Sequence, residues 1–456
     1  MSIHKTLDRL SDRLSCQVST PGQVGYADAT AIWSKTSRTP RAVVHCRTVE
    51  DVQSAVRAAR DCDLPLSVRG GGHDWAGRAL CDGVVIDMSR MNGVAVISEQ
   101  EAQVSGGARA LDHAAATQPL GLAAVTGAVG AVGMAGFTMG GGYGSLIGRF
   151  GLALDNLLAA EIVLADGQVV VASPDNEGEL FWALRGGGGN FGAVTSMRFK
   201  LHRLPSVRTG VLFYPFSEAR AVLDRCADIA DSAPDELSMQ VGAVHGPDGS
   251  QLVFVSPTWC GAPQEGETRT ASFLKLGTLL MGAVETMSYR DSLSAFDAFV
   301  VNGRREFMET CWMPTLSGAV DPFIAAMEAA ASPGCAVLTH EFKGFATRVS
   351  DDATAFGLRR EHVLVEILAT CGAGSHVDEE ERHRQWARST RKSFDSIALP
   401  GGYPNLLASD DDPNRILASY GGNAERLIRA KRRYDPNNVF NSAIPLPNPS
   451  ALRVAA

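Results

Sequence analysis

A turn made of three consecutive glycines is the segment of this sequence best suited to chemistry. Gly70, Gly71 and Gly72 follow a short apolar run and stand between Arg69 and His73. Successive glycines expose successive backbone N–H groups, which can surround an anion such as a phosphate without a helix terminus. A neighbouring arginine can add its positive charge to the same site. The turn therefore predicts an anion-binding loop, although glycine-rich turns also occur only to reverse the chain.

Two further glycine clusters favour a ligand over a simple chain reversal. They occupy residues 140–142 and 186–189, and the span from residue 70 to residue 192 holds 26 of the 47 glycines in the chain. Because glycine has no side chain, loops made of glycine let the backbone approach a ligand closely. Three such clusters indicate several loops pressed against one large, flat ligand.

The segment from Gly187 to Gly192 fits the G-x-G-x-x-G pattern of dinucleotide sites. In nicotinamide-binding proteins this pattern follows a strand and opens a helix, so that the pyrophosphate meets the helix N-terminus. Here the predicted order is reversed, with a helix around residues 178–184 and a strand from residue 194 to residue 201. The reversed order argues against a nicotinamide site. The sequence also lacks the motifs of phosphate-loop enzymes, zinc proteases and α/β-hydrolases.

The elements that position these loops follow from hydrophobic periodicity and capping residues. Thr48 is typical of an N-cap, and the helix after it is predicted to end near Asp63. Asp166 and Gly167 predict a hairpin turn between strands at residues 161–165 and 168–171. The other elements predicted in this half are strands at residues 64–68, 84–87, 94–98 and 102–105 and a helix at residues 109–118.

The composition of the sequence changes after Pro205, where glycine becomes rarer. The patterns predict helices at residues 217–231, 320–331, 376–394 and 423–433, and strands at residues 239–243, 251–256, 335–342 and 361–370. Long amphipathic helices mixed with strands are typical of an α+β domain. We therefore expect a second domain in this part of the chain.

The composition excludes several classes of protein. Hydrophobic residues make up 45% of the 456 residues, and the formal net charge is −8, which argues against nucleic-acid partners and anionic membranes. Residues 118–148 carry no charge and are long enough to span a bilayer, but ten of them are glycine, which argues against a membrane helix. The nine cysteines lack metal-ligand spacing, so no metal site is predicted. The first fifteen residues lack the apolar core of a secretory signal, and the cytoplasm is the expected location.

Four motifs, taken in order, resemble one flavoprotein family. They are PLSVRGGGH at residues 65–73, GxxGFTMGGGYG at residues 133–144, GNFG at residues 189–192 and YDPNNVF at residues 434–440. Together they are similar to the berberine bridge enzyme-like branch of the vanillyl-alcohol oxidase and p-cresol methylhydroxylase type, including its bacterial 6-hydroxy-D-nicotine oxidase-like members. The resemblance extends from about residue 20 to residue 448.

The resemblance implies an α+β fold with a two-subdomain FAD-binding domain and a substrate-binding domain built on an antiparallel sheet covered by helices. Residues 1–205 and 420–456 would form the first domain, and residues 206–419 the second. It also implies that His73 bonds covalently to the 8α-methyl carbon of the flavin, which suits an imidazole because it is nucleophilic when neutral. The alternative is that His73 only caps the loop. Val129 stands where some members carry a second link through cysteine, so a single covalent bond is expected.

The family pattern also assigns the remaining cofactor contacts. The residues expected to bind FAD are Arg69, Gly70, Gly71, Gly72, His73, Asp74, Gly77, Thr126, Val129, Val132, Gly133, Gly136, Gly140, Gly141, Gly142, Asp155, Asn156, Gly192, Val194 and Asn438. The tail departs from the pattern, because residues 441–446 read NSAIPL where many members have an arginine and two asparagines. Contacts from that segment to the flavin ring are therefore not expected, and Asn438 remains the predicted contact of the tail.

Tyr403 and Asn405 match the Tyr-x-Asn element of the family, which assigns the catalytic base to Tyr403 and a positioning role to Asn405. An ordinary tyrosine titrates near pH 10, so it needs a cationic or hydrogen-bonding neighbour to act as a base. Glu366, Glu341 and His340 are alternative bases on substrate-domain strands, and Tyr403 would then be a packed aromatic residue.

The resulting hypothesis is an FAD-dependent oxidase. It would remove hydride from a C–H bond beside oxygen or nitrogen in a small organic substrate, and O2 would reoxidise the flavin and form H2O2. The alternatives are a dehydrogenase of the same fold with another electron acceptor, and a flavin-binding protein or non-redox cyclase. The substrate class, whether amine, alcohol, sugar or phenol, stays open, as does a homodimeric assembly.

Overall fold

A computed structural model describes residues 13–447 of the chain. The first twelve residues, which hold most of the stretch predicted to lack a secretory signal, lie outside the described residues, as do the last nine residues assigned to the FAD-binding domain. The strands are β1 Gln17–Ser19, β2 Ala42–His45, β3 Leu66–Arg69, β4 Val84–Asp87, β5 Val94–Ser98, β6 Glu101–Ser105, β7 Leu122–Ala123, β8 Leu157–Val163, β9 Val169–Ala172, β10 Ala193–Lys200, β11 His202–Arg203, β12 Val207–Thr209, β13 Leu212–Pro215, β14 Leu237–His245, β15 Gln251–Trp259, β16 Glu285–Met287, β17 Arg305–Met313, β18 Cys335–Phe342 and β19 His362–Cys371. The helices are α1 Tyr26–Thr30, α2 Val49–Asp61, α3 Ala110–Thr117, α4 Met134–Met139, α5 Ile147–Phe150, α6 Gly178–Gly187, α7 Ala219–Ser232, α8 Gly266–Thr270, α9 Tyr289–Ser292, α10 Leu316–Glu328, α11 Val377–Ser393, α12 Pro413–Tyr420 and α13 Ala424–Tyr434.

A small four-stranded sheet carries the first glycine loop. Its strand order is β1-β2-β4-β3, with β2, β4 and β3 parallel and β1 antiparallel to β2. Helix α2 begins as predicted, because the Thr48 hydroxyl accepts a hydrogen bond from the N–H of Asp51 at 3.2 Å. Its buried residues pack on the sheet. The carboxyl end of β3 therefore leads directly from a packed layer into the turn at residues 70–73.

A second, five-stranded antiparallel sheet has the order β5-β6-β10-β8-β9. The hairpin predicted at Asp166 and Gly167 joins β8 to β9. Helix α6 kinks at Arg185 and Gly186, and the glycines that follow reach β10 through a short loop. The sequence predicted this order, in which a helix precedes the glycines and a strand follows them.

The third sheet forms the wall that faces the glycine loops. Its main order is β16-β12-β15-β14-β18-β19-β17, and β13 also pairs with β15. Every pairing within it is antiparallel. Helices α7, α10 and α11 pack on one face and enclose an apolar core. This architecture confirms the predicted α+β class with an antiparallel sheet covered by helices.

Several elements differ from the sequence-based expectation, and the sequence did not predict the short strands β1, β2, β7, β11, β12, β13 and β16 or the short helices α1, α4, α5, α8 and α9. Helix α10 begins at Leu316 and ends at Glu328, earlier than predicted, because Thr315 caps it by accepting from the N–H of Gly318 at 3.2 Å. Strand β17 and helix α12 were not predicted. Over the described range, no helix combines the length and apolar character needed to cross a bilayer.

Candidate functional site

The turn after β3 is shaped by its contact with a second loop. A Cβ on Gly71 would lie 2.5 Å from the Cα of Gly133, so neither position has room for a side chain where the two loops cross. Gly72 has a φ of 74°, a conformation that favours glycine. Within the described part of the chain, the N–H groups of Gly71, Gly72 and His73 donate no hydrogen bond. Three consecutive free N–H groups beside a cavity can surround an anion, so the geometry is compatible with the anion-binding loop that the sequence predicts.

Arg69 does not support an anion from this loop. Its Nη1 donates to Oδ1 of Asp87 at 2.9 Å, and both side chains are buried. Asp87 also lies against His45, whose Nδ1 is 3.3 Å from Oδ2. The Arg69 guanidinium therefore stabilises the base of the turn from within the sheet. This placement does not support the predicted contact between Arg69 and the cofactor.

His73 is held by stacking. Its ring lies parallel to the indole of Trp33, with centroids 4.4 Å apart and an interplanar angle of 4°. The backbone N–H of Trp33 donates to the carbonyl of Gly72 at 3.0 Å, which holds the segment that carries the indole against the loop. Burial lowers the pKa of His73 to about 4. The imidazole is therefore neutral at pH 7 and keeps a nucleophilic lone pair.

Asp74 and Arg78 join the glycine loop to the segment that carries Tyr403. The carboxylate of Asp74 accepts from the N–H groups of Ala76 and Ala79 at 3.0 and 2.7 Å. Arg78 is buried, lies 3.7 Å from Asp74 and donates through Nη2 to the carbonyl of Asn405 at 2.6 Å. Arg78 is not recognisable from the sequence, because the carbonyls of Asn405 and Leu407 to which it donates lie more than 320 residues away.

Tyr403 is fixed by two hydrogen-bond donors. Its hydroxyl oxygen accepts from the N–H of Gly142 and from Nδ2 of Asn405, each at 2.9 Å. Asn405 also donates to the carbonyl of Phe137 at 3.1 Å. Burial raises the pKa of Tyr403 to about 12, and the two donors only partly offset it. At neutral pH the residue is therefore a phenol whose own proton remains to be donated.

The third sheet presents a polar group opposite these loops. Nε2 of His340 lies 3.2 Å from Oε1 of Glu366 and 3.2 Å from the side-chain nitrogen of Gln240. All three side chains line the cavity. Glu341 does not line it, because it is the next residue along β18 and its carboxylate accepts from the N–H of Met239 at 2.8 Å. Of the alternative bases, the structure thus brings Glu366 and His340 to the site.

Strand register explains why the rest of this wall is apolar. Leu338 pairs with Glu366, Ala336 with Leu368, and Met308 with Leu368, so their side chains project from the same face. Residues one position away, such as Val337 and Ile367, are buried in the helix-covered core. The other apolar side chains that line the cavity from this half are Phe213, Val244, Phe254, Phe296, Phe299 and Val300.

The cavity enclosed by these parts has a volume of about 440 Å³. Thirteen predicted residues line it: Gly70, Gly71, Gly72, His73, Asp74, Val129, Val132, Gly133, Gly136, Gly192, Val194, Tyr403 and Asn405. A Cβ on Gly136 would meet no protein atom within 4 Å, so the chain leaves room there for a ligand. The open position at Gly136 and the free N–H groups along one cavity fit an extended dinucleotide such as FAD.

Nine predicted residues do not line the cavity: Arg69, Gly77, Thr126, Gly140, Gly141, Gly142, Asp155, Asn156 and Asn438. Asp155 forms two 2.9 Å hydrogen bonds with Arg359, and Thr126 pairs with the Tyr289 hydroxyl at 2.9 Å. Asn156 donates to the carbonyls of Phe150 and Leu152.

The other non-lining positions have local roles. The carbonyl of Gly77 accepts from Arg38 at 2.9 Å, and a Cβ on Gly140 would lie 2.0 Å from Oδ1 of Asn405. A Cβ on Gly141 would lie 2.8 Å from the Tyr403 ring, so Gly140 and Gly141 make room for the Tyr403–Asn405 pair. The N–H of Asn438 donates to the carbonyl of Asp435 at 3.1 Å. These placements do not support direct cofactor contacts.

The tail reaches the cavity at a different place from the one predicted. Ser442, Ala443 and Ile444 line it, whereas Asn438 lies before this stretch. The Ser442 hydroxyl donates to the carbonyl of Arg78 at 2.8 Å, and Asn190 donates to the carbonyl of Ile444 at 2.9 Å. The tail therefore closes the cavity by hydrogen bonding to the segment after the first glycine turn and to the segment after glycines 186–189.

Comparison with known proteins identifies relatives across the whole chain. A family described as FAD binding domain matches residues 40–173, and one described as berberine and berberine like matches residues 408–447. The FAD-linked oxidoreductase aurO of Gibberella zeae is 30% identical over 454 residues, which cover 96% of this chain and 87% of that protein. The (R)-6-hydroxynicotine oxidase of Paenarthrobacter nicotinovorans is 29% identical, covering 94% of this chain and 98% of that protein.

A solved structure agrees with the same relationship. The crystal structure of 6-hydroxy-D-nicotine oxidase from Arthrobacter nicotinovorans superposes with a TM-score of 0.85 and 26% identity. The alignment covers 95% of this chain and 98% of that one. The similarity therefore includes both the glycine-loop layer and the sheet that faces it.

Proposed function

The chain belongs to the berberine bridge enzyme-like FAD-linked oxidoreductases, and on this premise we propose that it is an oxidase acting on a small organic substrate. The observation that carries the proposal is one cavity with free N–H groups and a neutral His73 on one side and Tyr403, His340 and Glu366 on the other. Bound FAD would accept a hydride at its N5 atom, and O2 would then take both electrons and form H2O2. The bond broken would be a C–H beside oxygen or nitrogen.

Glu366 is our choice for the group that accepts the proton lost from the substrate heteroatom. A carboxylate can take that proton at neutral pH, whereas burial raises the pKa of Tyr403 to about 12. Tyr403 keeps its own proton and would donate a hydrogen bond into the cavity, because its oxygen already accepts two. Asn405 would position it. The base predicted from the Tyr-x-Asn element thus becomes a hydrogen-bond donor in this proposal.

His73 would be the covalent attachment point for the flavin. The parallel Trp33 ring limits its rotation, and its low pKa leaves a lone pair free for bonding to the 8α-methyl carbon. No cysteine lies near Val129 in the sequence, so we propose one covalent bond.

The substrate would have a compact apolar body and a single hydroxyl or amine group. Phe213, Phe254, Leu338 and Leu368 form a wall that offers no hydrogen bond from its side chains, and the polar side chains cluster around Glu366. A polyhydroxylated substrate would lose hydrogen bonds to water along that wall without replacement, which is costly.

The test is anaerobic mixing of the yellow holoenzyme with a panel of aryl-alkyl amines, phenols, alcohols and sugars in a stopped-flow spectrometer. We expect an apolar amine or phenol to bleach the 450 nm flavin band, and air to restore it with formation of one H2O2 per substrate. Bleaching without recovery in air would indicate the dehydrogenase alternative. A flavin that no member of the panel bleaches would contradict the proposal and favour the binding protein or cyclase.

A further inference from the structure

A pair of cysteines lies across the first two strands, at the edge of the first sheet. Strand β1 pairs antiparallel with β2 so that Gln17 faces His45 and Val18 faces Val44. Continuing this register by one residue places Cys16 opposite Cys46. Directly opposed residues of antiparallel strands have Cα atoms about 4.5 to 5.5 Å apart, which is within the range that a disulfide spans.

The two side chains belong to the same apolar cluster and differ in exposure. The neighbouring Cys46 thiol lowers the pKa of Cys16, and the Cys16 thiol raises the pKa of Cys46, while the Cys46 thiol donates to the carbonyl of Val44 at 3.7 Å. Cys46 is fully buried in the core beneath α2, whereas Cys16 is only partly buried. The more accessible sulfur is therefore also the one with more thiolate, the form that reacts with oxidants.

We propose that Cys16 and Cys46 are a redox-sensitive pair that hydrogen peroxide converts to a disulfide. The Cys16 thiolate attacks one peroxide oxygen and releases hydroxide, which leaves a sulfenic acid on Cys16. The Cys46 sulfur then attacks the Cys16 sulfur, and the hydroxyl group leaves as water with the Cys46 proton. In total, two thiols and one H2O2 give one disulfide and two waters. A small-molecule dithiol reverses the reaction.

The crosslink would fix an edge strand that is otherwise weakly held. Strand β1 has three residues and pairs only with β2 in the described chain. Ser19 at its end lies 2.8 Å from Nε2 of His45, and Nδ1 of His45 lies 3.3 Å from Asp87, which binds Arg69 at the base of the glycine turn. A disulfide between residues 16 and 46 would therefore fix strand β1, which carries Ser19. Polar contacts run from Ser19 through His45 and Asp87 to Arg69 at the base of the glycine turn.

The experiment treats the purified holoenzyme with a small excess of added H2O2, so that it does not depend on any substrate being known. Peptide mass spectrometry without reduction should find the Cys16 and Cys46 peptides joined, 2 Da lighter than their sum. Thiol titration in denaturant should fall from nine to seven per chain, and dithiothreitol should restore nine. The thermal midpoint of the oxidised form should be higher by a few degrees, because the crosslink restricts the unfolded chain.

Cys62→Ser is the matched control, since Cys62 is, like Cys16, a partly buried thiol in the same layer. It should leave the crosslink and the midpoint shift unchanged, whereas Cys16→Ser should abolish both. Sulfinic acid on Cys16 with Cys46 still free, a bridge from Cys16 to Cys62, or nine unchanged thiols would each overturn the proposal. The measurement on the unmutated enzyme decides the matter even if a Cys46 variant does not fold.

Discussion

At the residue scale, burial sets the protonation of the side chains that face the flavin site. It lowers the pKa of His73 to about 4 and raises that of Tyr403 to about 12, so both are neutral across the physiological range. Arg78 is compensated by Asp74 and by backbone carbonyls. The side chain on the sheet wall that carries a carboxyl group is Glu366, which is why we assign the proton transfer to it.

The first prediction concerns the flavin attachment. In the native enzyme, acid precipitation should leave a yellow pellet, and His73→Ala should release the colour to the supernatant because no other nucleophile in the loop can bond the flavin. Trp33→Phe keeps an aromatic ring beside His73 and should retain a coloured pellet. A colourless native pellet would contradict the covalent assignment.

The second prediction separates the roles of Tyr403 and Glu366. Tyr403→Phe removes a hydrogen-bond donor and should lower the anaerobic rate of flavin bleaching about 10-fold, whereas Glu366→Gln removes the proton acceptor and should lower it by about 10²-fold or more. Tyr214→Phe, a buried tyrosine on the helix-covered side of the third sheet, is the control and should bleach at the native rate. A larger loss for Tyr403→Phe than for Glu366→Gln would return the base role to Tyr403.

At the scale of elements, the glycine loops depend on two different kinds of close approach. At Gly71 the approach is to backbone, since a Cβ would lie 2.5 Å from Gly133, and at Gly136 it is to the cavity, where no protein atom lies within 4 Å. Glycine is therefore needed for the fold at one position and for the ligand at the other.

The third prediction follows from this contrast. Gly71→Ala should yield little folded protein, because two backbones cannot both remain in place. Gly136→Ala should fold but purify with less than half the native flavin, measured by the ratio of absorbance at 450 and 280 nm. Gly422→Ala, where the structure is also open but far from the cavity, should retain full flavin content. Equal flavin in all three variants would contradict the assigned position of the cofactor.

The same scale shows how far the sequence could predict the fold. The helix after Thr48 and the Asp166–Gly167 hairpin were predicted because their signals are local. Strand β17 was not, since its Glu306 and Glu309 look exposed until Thr370 and Arg415 supply their distant partners. Helix α12 did have a local signal, because Asp412 caps it by accepting from the N–H of Asn414 at 2.8 Å.

The sequence predicted the parts of the candidate site that consist of local backbone motifs. The glycine turn and His73 are local motifs, and Tyr403 was found through its family element. Trp33 and Arg78 were missed because each acts through groups far along the chain. The tail was placed at Asn438 instead of Ser442 because only the fold decides which turn of the tail returns to the cavity.

At the scale of the whole molecule, several histidines are buried in neutral form. Burial lowers the pKa of His73, His113 and His202 to about 4 and that of His362 to about 3. In the unfolded chain these groups titrate near pH 6.5. Between those values the unfolded state binds more protons, so stability must fall as the pH drops from about 6.5 towards 4.

The fourth prediction tests this dependence at His113, which is buried against Phe199 and whose Nε2 has no hydrogen-bond partner within residues 13–447. Each such histidine lowers the free energy of unfolding by about 1.4 kcal/mol per pH unit within that window. His113→Leu should therefore lose less of its thermal midpoint between pH 7.5 and pH 5 than the native enzyme does. An identical loss in both proteins would show that His113 does not contribute.

The alternation of the third sheet has a consequence for how this enzyme can diversify. Along β18 and β19, side chains that face the cavity alternate with side chains in the core beneath the helices. One set of positions therefore contacts a bound molecule, and the neighbouring set stabilises the fold. Leu338 or Leu368 can therefore be exchanged, one at a time, without removing a side chain from the helix-covered core. Mutational tolerance is thus concentrated where new substrate ranges arise, and a focused library at these alternate positions is the shortest route to altered selectivity.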